Sequence, residues 1–153
     1  MATRRRSSAK LRAAKPASPK KRILVVEDEP TLRHAVHKHL VQRGFDVEEA
    51  SDSQSALRAM RALVPDLVCV DLHLPRESGY EVCEMIRNEL ELRELPIVLM
   101  GKEGSPEARA FAEEAGADRY LLKPFSLSQL DEQVDMLLRA VRPEPSSPRV
   151  PKA

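Results

Sequence analysis

The chain of 153 residues has few of the features that mark several large classes of protein. Aromatic residues make up only 3% and tryptophan is absent, which argues against a surface that binds nucleic acid by base stacking. With two cysteines, neither a disulfide framework nor a four-cysteine zinc site is expected. No apolar run approaches the roughly 20 residues of a membrane-spanning helix, and no apolar stretch of a secretory signal follows the basic amino terminus. We therefore expect a cytoplasmic protein without a transmembrane segment.

The net charge of +1 hides an uneven distribution of charge along the chain. Residues 1–22 carry nine basic side chains and no acidic one, whereas residues 23–141 have a net charge of −10. The two terminal segments hold six of the twelve prolines and show no sustained apolar period, so ordering them would cost more entropy than packing returns. We expect a disordered basic arm at 1–21, one domain at 22–141, and a disordered proline-rich tail at 142–153.

The basic arm is compatible with three interpretations. In the first interpretation, the arm is a tail that keeps the protein in solution, which is the usual role of a run of charged residues. Alternatively, it attaches the protein to a polyanion such as nucleic acid, an anionic lipid surface or an acidic protein. In the third interpretation, it folds back onto the acidic domain of its own chain.

Short apolar runs alternate with helical periodicities between residues 22 and 141. The pattern predicts five strands, at 23–26, 46–50, 67–70, 96–100 and 119–122, and a helix after each of them. The third helix is expected to hold Val82, Ile86 and Leu90, after a loop broken by Pro75 and Gly79. This alternation is typical of an α/β fold with a five-stranded parallel sheet covered on both faces.

Charged side chains follow several of these strands. Glu27 and Asp28 come directly after the first strand, Asp71 after the third, and Lys123 after the fifth. Ligands of parallel sheets bind at the carboxyl ends of strands, so these side chains are expected to converge. Three carboxylates repel one another unless a divalent cation such as Mg²⁺ joins them, and a lysine opposite suits an anion. The set predicts a site for a phosphoryl group carried on an aspartate.

Four segments together resemble the receiver domains of two-component response regulators. They are ILVVEDEP (23–30), DLVCVDLHLPRESGYEV (66–82), PIVLM (96–100) and GADRYLLKPF (116–125). The resemblance covers essentially all of 22–141. It implies a flavodoxin-like (βα)5 fold with strand order 2-1-3-4-5.

The resemblance also implies a role for each residue of the site. Asp71 would be the phosphoacceptor, and Mg²⁺ would be held by Asp28, by Asp71 and by the backbone carbonyl of His73. Glu27 would reach the ion through a water molecule. Lys123, whose bond to Pro124 is expected to be cis, would bind the phosphoryl group. In addition, Tyr120 falls at the position of the switch aromatic.

One position departs from the family's pattern. Family members carry a threonine or serine at the end of strand four, and its hydroxyl contacts the phosphoryl group, but this chain has Gly101. A lost charge-assisted hydrogen bond corresponds to roughly 1.5–3 kcal/mol. That loss would reduce the population shift on phosphorylation by roughly ten- to a hundredfold. The acceptor chemistry at Asp71 is expected to survive, and the conformational response is expected to weaken.

Two functions follow as alternatives. The first is a stand-alone receiver, not an enzyme beyond its own phosphorylation and dephosphorylation. It would take a phosphoryl group on Asp71 from a histidine kinase or phosphotransfer protein and signal through contacts of helix 4, strand 5 and helix 5 with another protein. The second is a phosphorylation-independent pseudo-receiver that only docks a partner, which Gly101 favours. A hydrolase of the haloacid dehalogenase type is disfavoured, because His73 stands where such enzymes carry a second aspartate.

The first predicted helix carries three histidines. His34 and His37 are three residues apart and so share a face, which allows a metal site. Because no third ligand accompanies them on that helix face, we expect a solvated or partner-facing surface instead.

Overall fold

Five short strands form one parallel sheet in the computed structural model, which describes residues 19–140. The sheet order is β2-β1-β3-β4-β5, and each pair of neighbouring strands is parallel. This order confirms the predicted (βα)5 fold of the flavodoxin-like type. The strands are β1 (Arg22–Val26), β2 (Asp46–Ala50), β3 (Leu67–Asp71), β4 (Ile97–Gly101) and β5 (Arg119–Leu122).

Each strand is followed by a helix whose first turn is capped. The caps are side-chain oxygens that accept a hydrogen bond from a backbone N–H in the first turn, which would otherwise lack a partner. Ser105 and Ser126 cap the last two helices. The helices are α1 (Pro30–Gln42), α2 (Ser53–Ala62), α3 (Gly79–Glu84), α4 (Pro106–Ala115) and α5 (Leu127–Arg139).

The helices cover both faces of the sheet and bury two apolar layers. On one face, Val36 and Leu40 of α1 pack with Leu130 and Val134 of α5 against the odd-numbered side chains of β1. On the other face, the apolar sides of α2, α3 and α4 meet the alternate side chains of the same strands. Because helices cover both faces of the central strands, the sequences of these strands are continuous apolar runs. The strand β2 lies at an edge, and four of its five residues are less than fully buried.

The third helix differs from its prediction at both ends. Gly79 does not lie in the preceding loop but begins α3, where Ser78 caps it. A Cβ atom on Gly79 would lie 2.5 Å from the backbone oxygen of Asp71, so the close approach of helix and strand requires glycine. At the other end, α3 passes into a π-helical turn over Met85–Glu89, and the N–H of Leu90 bonds to the carbonyl of Met85.

Two of the predicted segments lie outside the described residues. These are the basic arm, apart from its last three residues, and the proline-rich tail. The disorder expected of them stays a prediction. Within 19–140, every helix is too short or too polar to cross a membrane.

Candidate functional site

The carboxyl ends of β1, β3 and β5 bring together the charged residues that the sequence singles out. One carboxylate oxygen from each of Glu27, Asp28 and Asp71 lies within 4.8 Å of the others. The Nζ atom of Lys123 donates to Asp71 Oδ1 at 2.9 Å and to Glu27 Oε1 at 3.1 Å. These residues line an open cavity of about 690 Å³ together with His73 and Lys102.

The turn after β1 places the side chains of Glu27 and Asp28 in different environments. Glu27 is 1% exposed, and its Oε2 atom accepts a hydrogen bond of 3.2 Å from the N–H of Glu29. Glu29 in turn caps α1 by accepting from the N–H of Leu32 at 2.9 Å. Asp28 is exposed. The turn therefore offers one buried carboxylate beside Lys123 and one that faces the solvent.

Burial and like charge control the ionisation of Glu27. Loss of solvent and the neighbouring charge of Asp71 raise the pKa of Glu27 above its ordinary value, although Lys123 opposes the rise. Burial alone would lower the pKa of Lys123, but its hydrogen bonds to Asp71 and Glu27 raise it. The ammonium therefore stays charged, and one positive charge faces three carboxyl groups. Oxygen donors with excess negative charge fit a hard divalent cation such as Mg²⁺.

The raised pKa of Glu27 predicts how cation binding depends on pH. Glu27 gains its proton above pH 4.5, the ordinary value, and the protonated form attracts a cation less. We expect the dissociation constant for Mg²⁺, measured by calorimetry, to rise as the pH falls toward that value. In the variant E27Q this part of the pH dependence should disappear.

The matched control for this prediction is E29Q. Glu29 lines the same cavity, and glutamine retains the oxygen that caps α1. If the dissociation constant for Mg²⁺ changed equally steeply with pH in E27Q and in the unaltered protein, that result would contradict the assignment of the proton to Glu27. Ionisation of Glu27 also destabilises the folded state. The free energy of unfolding should therefore fall as the pH rises through the raised pKa of Glu27.

The segment after Asp71 is held against the sheet by backbone bonds. The N–H of Leu72 donates to Met100 O, and the N–H of Gly79 donates to Leu72 O, each at 2.7 Å. His73 bridges to Ser78 in an isolated antiparallel pair, and its ring lies 3.2 Å from Glu103. His73 lines the cavity, and its carbonyl as a cation ligand stays a prediction.

Tyr120 occupies the space beside Gly101. A Cβ atom built on Gly101 would lie 2.4 Å from the Tyr120 hydroxyl oxygen and 3.0 Å from Leu72 Cδ2. The hydroxyl is buried and has no hydrogen bond of normal geometry within the described part of the chain. Burial and the charge of Glu103 raise the pKa of Tyr120, and the backbone N–H of Glu103 counters part of that rise. The phenol therefore fills the volume that any larger residue at 101 would require.

Arg33 contacts the site, and the sequence did not indicate it. Its Nη1 atom donates to the backbone carbonyl of Glu27 at 2.8 Å, and its Nε atom donates to Glu49 at 2.9 Å. Arg33 therefore fixes the turn that carries Glu27 and Asp28. The only available signal was its place in the first turns of α1, which does not distinguish it from an exposed arginine.

The fold and the site define a flavodoxin-like α/β domain with acidic residues and a lysine at the carboxyl edge of its sheet. The family model described as the response regulator receiver domain matches residues 23–135. The chain belongs to that family. The Lys123–Pro124 peptide is cis, as the resemblance implied.

Individual relatives agree with this assignment. The chain is 37% identical to the phosphate regulon transcriptional regulatory protein PhoB of Klebsiella pneumoniae. The alignment covers 80% of this chain and 54% of PhoB. It is 40% identical to the transcriptional activator protein PfeR of Pseudomonas aeruginosa, and the alignment covers 81% of this chain and 40% of PfeR. The chain thus spans about half the length of these curated relatives, or less.

Solved structures show the same fold. The chemotaxis response regulator CheY4 of Vibrio cholerae superposes with a TM-score of 0.75 at 28% identity, over 78% of this chain and 100% of that one. The non-phosphorylated HemR receiver domain of Leptospira biflexa gives a TM-score of 0.74 at 30% identity, over 82% and 99%.

Proposed function

We propose that this receiver domain accepts a phosphoryl group on Asp71 from a histidine kinase or a histidine phosphotransfer protein. The observation that carries the proposal is the contact of the Lys123 ammonium with Asp71, 2.9 Å away, beside two further carboxylates. Asp71 is 3% exposed, but it opens onto the cavity through which a donor phosphoryl group would enter.

The chemistry is nucleophilic attack by a carboxylate. An oxygen of Asp71 forms the new bond to phosphorus, while the bond from phosphorus to the donor's imidazole nitrogen breaks and its electron pair stays on the imidazole. Lys123 turns its ammonium from the carboxylate toward the phosphoryl oxygens, whose charge it neutralises. Attack of water on phosphorus later returns phosphate and the free carboxylate.

The carboxylates of Asp28 and Asp71 and the carbonyl of His73 are the groups that would hold Mg²⁺, and Glu27 would reach the ion through water. When bound, the ion would supply positive charge opposite the phosphoryl oxygens. The excess of acidic groups over the single ammonium supports this part of the proposal.

The output surface that we propose is formed by α4, β5 and α5. It exposes apolar side chains that a partner protein could cover, among them Phe111 at 60% exposure and Leu127 at 41%. Arg109 stacks over the ring of Tyr120 at 5.4 Å and connects this surface to the interior at Gly101.

Incubation with Mg²⁺ and a small phosphoryl donor such as a phosphoramidate tests the acceptor step. We expect the intact mass to rise by one phosphoryl group per chain, and D71N to show no increase. The variant D46N, which removes an exposed carboxylate from β2, is the matched control and should be labelled normally. No labelling of the unaltered protein under conditions that label another receiver domain would overturn the proposal.

The position of Tyr120 favours a second candidate function, a docking module that does not respond to phosphorylation. Tyr120 already fills the space into which a side chain at 101 would project, and Gly101 itself carries no hydroxyl that a phosphoryl group on Asp71 could attract. In this case Asp71 is either not labelled, or is labelled without change at α4, β5 and α5. Hydrogen exchange of those elements before and after labelling separates the two functions.

A further inference from the structure

Arg33 connects the acidic cavity to the edge strand of the sheet. From its place on α1, its Nη1 atom donates to the backbone carbonyl of Glu27 at 2.8 Å, and its Nε atom donates to Glu49 Oε1 at 2.9 Å. Glu49 lies on β2, whereas Glu27 follows β1 and lines the cavity. One side chain therefore joins the turn after β1 to a residue outside the cavity.

The contact between Arg33 and Glu49 is largely shielded from water. Their side chains are only 16% and 22% exposed. Ion pairs shielded in this way are screened less by salt than exposed ones. The guanidinium is planar and rigid, so its Nε and Nη1 donors cannot move independently of each other. The position of Glu49 therefore determines where Nη1 meets the carbonyl of Glu27.

The carboxylate of Glu49 is itself held from two sides. Arg33 contacts Oε1, and the Nδ1 atoms of His34 and His37 lie 3.1 Å and 2.7 Å from Oε2. Burial would raise the pKa of Glu49, but hydrogen bonds from Arg33 and His34 outweigh it, and the pKa is lowered. Glu49 is therefore ionised. The two histidines, which were expected on a solvated or partner-facing surface, contact a carboxylate of their own chain.

The backbone of Glu27 is held on both sides of the residue. Its N–H donates to the carbonyl of Ala50, at the end of β2, at 3.0 Å. Its carbonyl, which accepts from Arg33, belongs to the peptide bond that joins Glu27 to Asp28. Both contacts lead to β2, directly through Ala50 and indirectly through Arg33 and Glu49. The edge strand thus holds the peptide from which the Asp28 side chain projects.

We propose that Arg33 and Glu49 are positioning residues for the cation of the acidic cavity. This inference rests on the Mg²⁺ site of the proposed function. Arg33 orients the peptide that carries Asp28, and Glu49 orients Arg33, although neither would touch the ion. Groups that orient metal ligands in this way commonly change metal affinity by about 10–100-fold.

The sign of the effect separates positioning from simple charge. Arg33 is a positive charge beside a site for a cation, so charge alone predicts that its removal strengthens Mg²⁺ binding. Positioning predicts the opposite, because an unheld turn must be ordered when the ion binds.

The test is a calorimetric titration of the full chain with Mg²⁺. We expect R33M to raise the dissociation constant about tenfold or more. The variant E49A should have a similar effect, and E49Q a smaller one, because glutamine retains an oxygen that accepts from Arg33. The double variant of R33M and E49A should bind no more weakly than R33M within about twofold, because Glu49 acts through Arg33.

The matched control is R22M. Arg22 also pairs with carboxylates of β2, Asp46 and Glu48, but at the start of β1, opposite the end that carries the cavity. Loss of an ion pair between the same strands should leave the Mg²⁺ affinity within about twofold of normal.

A second measurement uses the unaltered protein and so does not depend on how the variants fold. If Arg33 favours cation binding, the bound cation must stabilise the contacts of Arg33 in return. Mg²⁺ should therefore slow the exchange of the Arg33 Nε–H with water, followed by nuclear magnetic resonance, and leave the Nε–H of Arg22 unchanged.

The failures of this inference and of the proposed function are distinguishable. Equal or tighter Mg²⁺ binding by R33M, or equal losses in R33M and R22M, would overturn the positioning role alone. Exchange of the Arg33 Nε–H that is insensitive to Mg²⁺ would do the same. Absence of Mg²⁺ uptake by the unaltered protein would overturn the cation site itself, and the positioning role with it.

Discussion

Replacing Lys123 with methionine (K123M) is expected to slow the labelling of Asp71 by roughly 10²–10³-fold, the cost of removing one well-placed donor from a transition state. The Nζ atom of Lys123 lies within 3.1 Å of both Asp71 and Glu27. Without it, no ammonium balances the two buried carboxylates, and the phosphoryl oxygens lose the positive charge that stabilises them. The rate is measured by intact mass over time with a small phosphoryl donor.

Lys102 provides the control for this experiment. It lines the same cavity, is exposed, and makes no hydrogen bond to Asp71 within the described residues. The variant K102M should keep the labelling rate within a few-fold of normal. A similar loss in both variants would show that only the overall charge of the cavity matters, and an unchanged rate in K123M would exclude the proposed role of Lys123.

The variant G101T should respond to phosphorylation with a stronger conformational change than the unaltered protein does. The added side chain cannot coexist with the present position of Tyr120, whose hydroxyl lies 2.4 Å from the Cβ position. Its own hydroxyl would hydrogen-bond to a phosphoryl group on Asp71, an interaction of roughly 1.5–3 kcal/mol. Phosphorylation should then change the equilibrium constant between the positions of Tyr120 by a factor about ten to a hundred times larger than in the unaltered protein.

Fluorine spectroscopy measures this shift directly. The chain has only two tyrosines, so fluorotyrosine gives two signals, with Tyr80 as the internal reference. The signal of Tyr120 should stay in place when the unaltered protein is labelled and move when G101T is labelled. Both G101T and the control G101A add a Cβ atom at the place of the Tyr120 hydroxyl, so both should displace Tyr120 before labelling. Only G101T carries a hydroxyl that a phosphoryl group on Asp71 would attract, so labelling should move the Tyr120 signal further in G101T and leave it in place in G101A. An equal movement in the unaltered protein would contradict this account.

The sequence predicts the sheet and the acidic site well because both depend on local patterns. Apolar runs of four or five residues mark the buried strands, and the acids and the lysine follow the strand ends directly. The parallel order then places those ends at one edge. The π-helical turn at Met85–Glu89 has no such pattern. Within that turn, Arg87 donates to the carbonyls of Leu92, Leu95 and Gly116, which are contacts with later segments of the chain.

The features that the sequence did not predict depend on contacts between distant segments. Glu49 is 15 residues from His34 in the chain, and only the pairing of β2 with β1 places it beside α1. Likewise, the identity of Gly101 shows that a hydroxyl is missing, but not that Tyr120 fills the space. Such contacts require the packed structure.

The most direct test of the central claim is to locate the phosphoryl group on the chain. Borohydride reduces an aspartyl phosphate to homoserine, which peptide mass spectrometry detects at the residue that carried the group. After labelling with a small phosphoryl donor and Mg²⁺, the account predicts conversion at Asp71 alone. Conversion at Asp28 or at another carboxylate, with Asp71 intact, would contradict it.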